Sequence, residues 1–561
     1  MENSYRYRNN PIVKSIFITM LMPTIFMNLT TTIASMADTV IIGQYLDDAA
    51  LSVVTFAMPV YMVINLLSAL FAVGGCIAMG IDSGKGAKSE ANKAFSTAIE
   101  LLGITALILF FGGMFFSRTI TGWLGAEEEV FNQVQEYVKI ILLGAPFFVF
   151  NTALAFFVRN EGRATLSMIG MFGSIIIDII LNFVFVGAMN MGVAGAAYST
   201  VIGSVVGVLI IGSHFLSSKN TLRFRFAFDK MIGRIIKNGA SSALQFLYQF
   251  LTILIINRLL AKLAGTNGVV VYTVVFNLTT VALSLFEGIS QTIQPSISNY
   301  YGEKSYGNIM STMRLAFITI LVVCGGVTLL FELVPEIVPM IFGIENQTLK
   351  ADAALAVRIY SASMIITTVN VVMGYYLQSI EKNLMAAVIV SLRSFVIFMG
   401  ATLILGRSFG INGIWGAYIV TELICFVIIF IMLLLKKRKM AISGKAVNIL
   451  LLEERVKDGV ETYVFNSKEN DYEDFCQVVS NQCGKAAVTE YLGLLGRCID
   501  SNSKRYIGVE INKENSQIII RDNLNHSEIK DEISSVTDRE TVEYGPVLGW
   551  NRILFGRGNA L

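Results

Sequence analysis

Four polar side chains set in apolar surroundings could do chemistry. Asp38 is the only formally charged residue between Ile16 and Ile42, a run longer than the ~20 apolar residues that span a bilayer. A charge at membrane depth costs at least about 2.5–3.5 kcal/mol, so an acid kept there points to function. In SIIIDIILNFVF, Asp178 and Asn182 stand at i and i+4 and share one helix face. Thr200 follows a Gly-rich turn. Two carboxylates facing one cavity cannot both ionise cheaply, so the set suits a proton. With both ionised it suits a sodium ion, with Asn and Thr oxygens as further ligands. The competing reading is interhelical glue, at about 0.6–2 kcal/mol per hydrogen bond. For Asp38, access to headgroup water is another.

The elements that must position these residues are membrane helices. The chain of 561 residues is 54% hydrophobic and only 15% charged, with mean hydropathy +0.63. A soluble domain carries about 25% charged residues. The net charge of +2 and the lack of a basic stripe interleaved with aromatics argue against nucleic acid. Two histidines and six cysteines without a CxxC pair support neither a zinc site nor a disulfide framework. The first apolar run is too long for a signal-peptide core, so the N-terminus is expected to be retained.

Apolar periodicity predicts twelve spans between residues 13 and 435. Lys and Arg collect in alternate loops (Lys85, Lys88, Lys93; Arg159, Arg163; Arg223 to Lys237; Lys304, Arg314; Lys436 to Lys439). The opposite loops carry acids such as Asp47, Asp48 and Glu127 to Glu129. This asymmetry predicts a multi-pass plasma-membrane protein with both termini in the cytoplasm. Pro23, Pro59, Pro146 and Pro295 should bend their helices. The chain also repeats at an offset of roughly 216–220 residues. MGVAGAAYST (191–200) matches FGINGIWGAY (409–418), and SGKGAKSEANKAF (83–95) matches NYYGEKSYGNIMS (299–311). The expected fold class is therefore all-α: two six-helix lobes, 1–225 and 226–440, with a substrate site between them. A soluble α/β domain should follow at 441–561. The basic linker at 217–237 suggests an amphipathic interfacial segment.

The offset sets Asn257 opposite Asp38, so the second lobe has an amide where the first has an acid. Glu287 is the best single candidate for a second-lobe acid, in a candidate polar site with Asn257, Gln291 and Arg393. Arg393 either pairs with Glu287 or, the favoured reading, snorkels to the interface. Asn151 and Gln249 could line the substrate cavity, among Met-rich walls suited to promiscuous binding.

MADTVIIGQYL ending the first span, MGVAGAAYST opening the sixth, QPSISNYYGEKSYGN after the eighth and FGINGIWGAY before the twelfth together resemble the multidrug and toxic compound extrusion transporters, over residues 10–435. The resemblance implies cation-coupled export of organic, often cationic compounds by alternating access. It carries the coupling role to Asp38, Asp178, Asn182 and Thr200, with H+ or Na+ as the ion and no other cofactor. In that family the fifth span has Asn first and Asp four residues later. Here the order is reversed, which moves the carboxylate by one turn, about 5.4 Å.

The tail reads as a strand, helices, a hairpin (KRYIGVEINKENSQIIIRDN) and one last strand (YGPVLGWNRILF). It looks like the histidine-kinase-type ATPase fold, particularly its anti-sigma branch. Glu490 and Asp522 stand where acids are expected, but Leu494 replaces an Asn and the loop Asp-Asn-Leu-Asn lacks its glycines. A degenerate, non-catalytic module is expected at 441–561, one that a cytoplasmic regulator or, less readily, a nucleotide could engage. Two rivals to an exporter are a lipid-linked-precursor flippase, which wants several cavity cations, and a membrane-tethered signalling protein working through its tail.

Overall fold

The computed structural model describes residues 10–555 except 47, 127, 218–219, 227–230, 264, 342–346, 443–459, 468–470, 484, 500–504, 513–516, 527–528 and 538–541. The membrane part is helical: α1 Pro11–Tyr45, α2 Asp48–Gly84, α3 Lys88–Trp123, α4 Phe131–Leu143, α5 Ala145–Asn160, α6 Ala164–Asn182 and α7 Gly192–Gly212. The second half continues with α8 Met231–Leu263, α9 Gly265–Gly302, α10 Tyr306–Thr319, α11 Gly325–Leu333, α12 Ile337–Ile341, α13 Gln347–Ser361, α14 Met364–Ser379, α15 Asn383–Ser391, α16 Ile397–Phe409 and α17 Ile411–Ile442. Among the described residues, eight helices are long and apolar enough to cross a membrane, or ten if each of two bent pairs is one span. Two more long helices, α8 and α9, stand where the seventh and eighth spans are expected. Local chemistry sets the ends. Asn10 caps α1 by accepting from the Ile12 amide at 3.0 Å, with Pro11 opening the helix where its missing N–H costs nothing.

The internal repeat has a backbone counterpart. α4 and α5 meet at a 46° bend beside Pro146, and α13 and α14 meet at a 44° bend in the second half. A widened π-type turn follows α6 at Phe183–Ala188, and another follows α15 at Leu392–Val396. Left-handed residues also recur roughly 218 residues apart: Gly86 and Lys304, Gly162 and Glu381, Gly192 and Gly410.

The halves close on one another at the face that carries the Lys- and Arg-rich loops. There α2 packs against α8 and α9 with glycine at each crossing. A Cβ on Gly74 would strike the Ile235 carbonyl, and one on Gly239 the Leu70 carbonyl. Gly84 lies against Asn299 and Gly302, and Gly302 against the Ile81 carbonyl. Arg234 Nη1 reaches Asp82 at 2.6 Å and its Nε reaches Glu381 at 2.6 Å, tying α2 of the first half to α8 and the turn after α14 in the second. The basic linker at 217–237 is divided: its described residues 220–226 carry no helix, and residues 231–237 are the first turns of α8. Residues 220–226 are held against α3 by Arg223 N to Asn92 Oδ1 and Arg225 N to Ser96 Oγ, both 2.9 Å. Backbone donors satisfied by α3 side chains leave no need for helix.

The tail contains β1 Val460–Asn466, α18 Tyr472–Cys483, α19 Ala486–Gly496, β2 Tyr506–Asn512, β3 Gln517–Asp522, α20 Lys530–Thr537, β4 Val542–Val547 and β5 Trp550–Phe555. The strands form an antiparallel sheet in the order β1-β2-β3-β5-β4. Ile507, Val509, Ile518, Ile520 and Ile553 pack against Phe475, Leu492 and Ile533 of the helices. The final stretch is two strands, not the one expected. Leu548 and Gly549 both take positive φ, which folds YGPVLGWNRILF into a tight hairpin.

Replacing Gly302 by Val should disturb the α2–α9 crossing by about 1–3 kcal/mol. Thermal melting of the detergent-solubilised protein checks this. The same change at Gly103, whose Cβ would meet open space, should leave the melting temperature near that of the parent.

Candidate functional site

The first-half polar residues converge. Asn182 Nδ2 donates to Asp38 Oδ1 at 2.7 Å, joining the end of α6 to α1. Asp178 is buried one turn back along α6, near enough to Asp38 to interact with it electrostatically. Beside its carboxylate lie Ser199 and Thr200 of α7, whose hydroxyls donate to the Ala196 carbonyl at 2.7 and 2.9 Å. Gly203 lets α7 approach this close, because a Cβ there would meet Asp178 and the Ser174 carbonyl. Asp178 Oδ1 and Asn182 Oδ1 are buried with no hydrogen-bond partner. Buried oxygens without donors are costly unless a cation or proton satisfies them. The donor set is therefore all oxygen: two carboxylates, an amide carbonyl and hydroxyls. That chemistry fits a proton or a hard monovalent cation better than a soft metal.

Two tyrosines complete the cluster and are absent from the sequence reading. Tyr61 of α2 and Tyr137 of α4 share a hydroxyl contact of 3.3 Å, within electrostatic reach of both Asp38 and Asp178. Nothing in their sequence context separates them from packing tyrosines. The family order of Asn before Asp would set a carboxylate opposite Asp38. Here the amide of Asn182 takes that place.

The second-half residues gather around a cavity of about 430 Å³ between the halves. Gln249, Glu287, Gln291 and Arg393 all line it. Arg393 Nε donates to Glu422 Oε1 at 2.7 Å, and Asn370 Nδ2 holds Glu422 Oε2 at 2.7 Å. The favoured interface position of Arg393 is thus corrected. Glu422 on α17 offers it a carboxylate at the cavity wall, so it has no need to reach headgroups. Glu287 accepts from Gln245. Among the described lining residues the charged ones are Glu287, Glu422 and Arg393, so acids outnumber cations. Phe156, Phe246, Phe398, Tyr360, Tyr418, Met27 and Met171 supply apolar and aromatic wall.

Asn151 does not line this cavity. It donates to Ser174 Oγ at 3.5 Å and fills the space left by Gly207, inside the first half. Its neighbour Thr152 faces the cavity, because one residue turns a helix by about 100°. The side chain of Asn257 lies outside the described residues. Arg159, assigned to a basic loop by its sequence context, is instead buried at the end of α5. Its Nη1 donates to Gln291 Oε1 at 3.0 Å, and Gln291 also exchanges hydrogen bonds with Asn28 at 3.2 and 3.3 Å. This bond runs between the halves.

Glu422→Gln should leave the partly buried Arg393 without its paired carboxylate and cost about 1–3 kcal/mol. Thermal melting should show this loss largely recovered in Glu422→Gln/Arg393→Gln. Equal losses in the single and double variants would contradict the pairing.

Comparison with known proteins places the membrane part in a family and a fold. The MatE family model matches twice, over residues 23–184 and 239–404. The multidrug export protein MepA of Staphylococcus saprophyticus is 24% identical over 392 residues, covering 68% of this chain and 85% of its own. MepA of Staphylococcus aureus is 24% identical over 432 residues, covering 76% and 94%. Among solved structures, the outward-facing conformation of a multidrug resistance MATE family transporter of the MOP superfamily superposes with TM-score 0.70 at 22% identity, over 77% of this chain and 96% of that one. The MATE multidrug transporter DinF-BH in complex with R6G gives TM-score 0.69 at 24% identity, over 75% and 96%. The two matched segments cover the two halves of the membrane part and most of its length, and the chain belongs to the MatE family.

Proposed function

We propose that this chain is a secondary active antiporter that exports small organic, cationic or amphipathic compounds in exchange for H+ or Na+. The observation that carries the reading is spatial separation. An oxygen cluster with unpaired acceptors sits within the first half, and an apolar, acid-biased cavity sits between the halves. Asp38, Asp178, Asn182 and Thr200 take the coupling ion. Glu287, Gln291 and Gln249 face the substrate, with Arg393 held neutral overall by Glu422. Tyr61 and Tyr137 link the ion cluster to α2 and α4. Ion occupancy changes how α1, α6 and α7 pack, and through α1 it reaches the cavity wall at Met27, Asn28 and Thr31. That the relatives are named multidrug export proteins, and that one structural neighbour binds R6G, support this substrate class.

The same reading includes twelve spans in two lobes, 1–225 and 226–440, and a plasma-membrane location with both termini cytoplasmic. The positive charge of the loops on one face supports that orientation. The tail is a degenerate ATPase-like module. In support, the Asp522 carboxylate is already held by the Leu524 amide at 3.0 Å and Asn551 at 2.8 Å, and Leu494 is buried. A diphosphate-lipid flippase would need surplus cations in the cavity, and the acid excess counts against it.

In proteoliposomes loaded with a fluorescent cation, Asp38→Asn and Asp178→Asn should each lower gradient-driven transport by about tenfold or more, within the usual range of ion–substrate coupling. Driving the same vesicles first with a proton gradient and then with a sodium gradient identifies the ion. Full gradient-driven transport by both variants would sink the coupling role.

A further inference from the structure

The tail sheet has two faces, and its helices cover only one. Side chains alternate along each strand, so the other face presents Gly508, Glu510, Arg521 and Arg552. Register sets Gly508 opposite Arg521, Arg521 opposite Arg552 and Arg552 opposite Gly545, a row across four strands. Two arginines side by side on an open sheet repel one another. Here they are buried, because this face lies on the basic-loop end of the membrane helices.

Glu303, in the turn after α9, stands between the two guanidinium groups. Its Oε1 accepts from Arg552 Nη1 at 2.8 Å and its Oε2 pairs with Arg521. Glu510 accepts from Arg521 at 3.1 Å, from Ser305 Oγ at 2.8 Å and from Asn308 Nδ2 at 2.7 Å. Arg521 lies 5.3 Å from the centre of the Tyr300 ring. Burial disfavours its charge, but Glu303 and Glu510 more than offset this and hold its pKa above the usual arginine range. These contacts grip the second half. The first half is gripped too: Arg552 Nη2 donates to the Ser83 carbonyl at 2.7 Å, Lys88 donates to the Tyr544 carbonyl, and Gly162 abuts the Leu548–Gly549 turn. One guanidinium therefore bonds both halves where Gly84 meets Gly302. That seam must part if the cavity is to open toward this face.

We propose that the C-terminal domain is a clamp across the cytoplasmic gate, binding the membrane domain only while its two lobes are closed there. Its partner is this chain's own gate, with Glu303 as the anion that its paired arginines require. The proposal rests on the alternating-access reading above. Opening inward separates Ser83 from Glu303, so Arg552 must let go of one of them. The domain thereby holds the transporter closed on the cytoplasmic side, and whatever loosens its grip promotes inward opening.

The test uses the full chain, freed of its six native cysteines and spin-labelled at Lys85→Cys in one lobe and Gly307→Cys in the other. Gly307 is surrounded by open space. Pulsed electron resonance reads the distance across the seam. Glu303→Gln should raise the ratio of long to short distances by roughly tenfold, as expected when a buried charge cluster loses its anion. Asn308→Ala removes one hydrogen bond to Glu510, leaves both arginines paired and should shift the ratio the same way by a few-fold. It keeps the test alive if Glu303→Gln fails to assemble. Unchanged distances in every assembled variant would overturn the clamp. Cation transport by the parent in the same vesicles separates the two ideas. Its absence would sink the antiporter reading, while the distance shift would still decide whether the domain holds the seam shut.

Discussion

A charge in hydrocarbon has to find its partner inside the protein, and most of this architecture follows from that constraint. Asn182 reaches from α6 to Asp38 on α1. Arg393, Glu422 and Asn370 join the turn after α15 to α17 and α14. Arg159, Gln291 and Asn28 join α5, α9 and α1. These polar groups are thus also crosslinks between helices. Changing its charge state or its partner changes how helices pack, which is the physical basis for coupling an ion to a motion.

The halves share a backbone plan and differ in chemistry. Bends at matching places, π-type turns after α6 and α15, and left-handed residues at matching turns show one fold used twice. Backbone geometry repeats because the turns demand particular φ values, while the polar side chains are free to diverge. The first half holds acids with amides and hydroxyls, leaving oxygens unpaired. The second holds an ion pair with its amide clasp. The unpaired set can take up a cation, whereas the ion pair already has its counter-charge.

The tail follows the same electrostatic rule on the aqueous side. Arg521 and Arg552 would be poor neighbours on an exposed sheet, and Glu303 and Glu510 make a buried cluster of two cations and two anions. Such clusters add little stability over an apolar contact but are costly to break by half. Their value is specificity: the sheet face fits one surface in one register.

The sequence alone determined what the spacing of apolar and charged residues controls. The membrane class, the helical halves, the repeat, Asp38 with Asp178 and Asn182, and the tail hairpin are all local or periodic features, and they could be read directly. Even the swapped order of Asp178 and Asn182 was legible, because i and i+4 fix a shared face. What only the tertiary structure decided is which faces meet. Asn151 and Thr152 are neighbours, yet one packs inward and the other meets the cavity. Arg159 sits in loop-like sequence and is buried between the halves. Tyr61, Tyr137 and Glu422 join their clusters from other helices, and Glu303 finds Arg521 and Arg552 more than two hundred residues away. Periodicity specifies the face of a helix; helix rotation and crossing, set by glycine contacts such as Gly84 with Gly302, specify what that face touches.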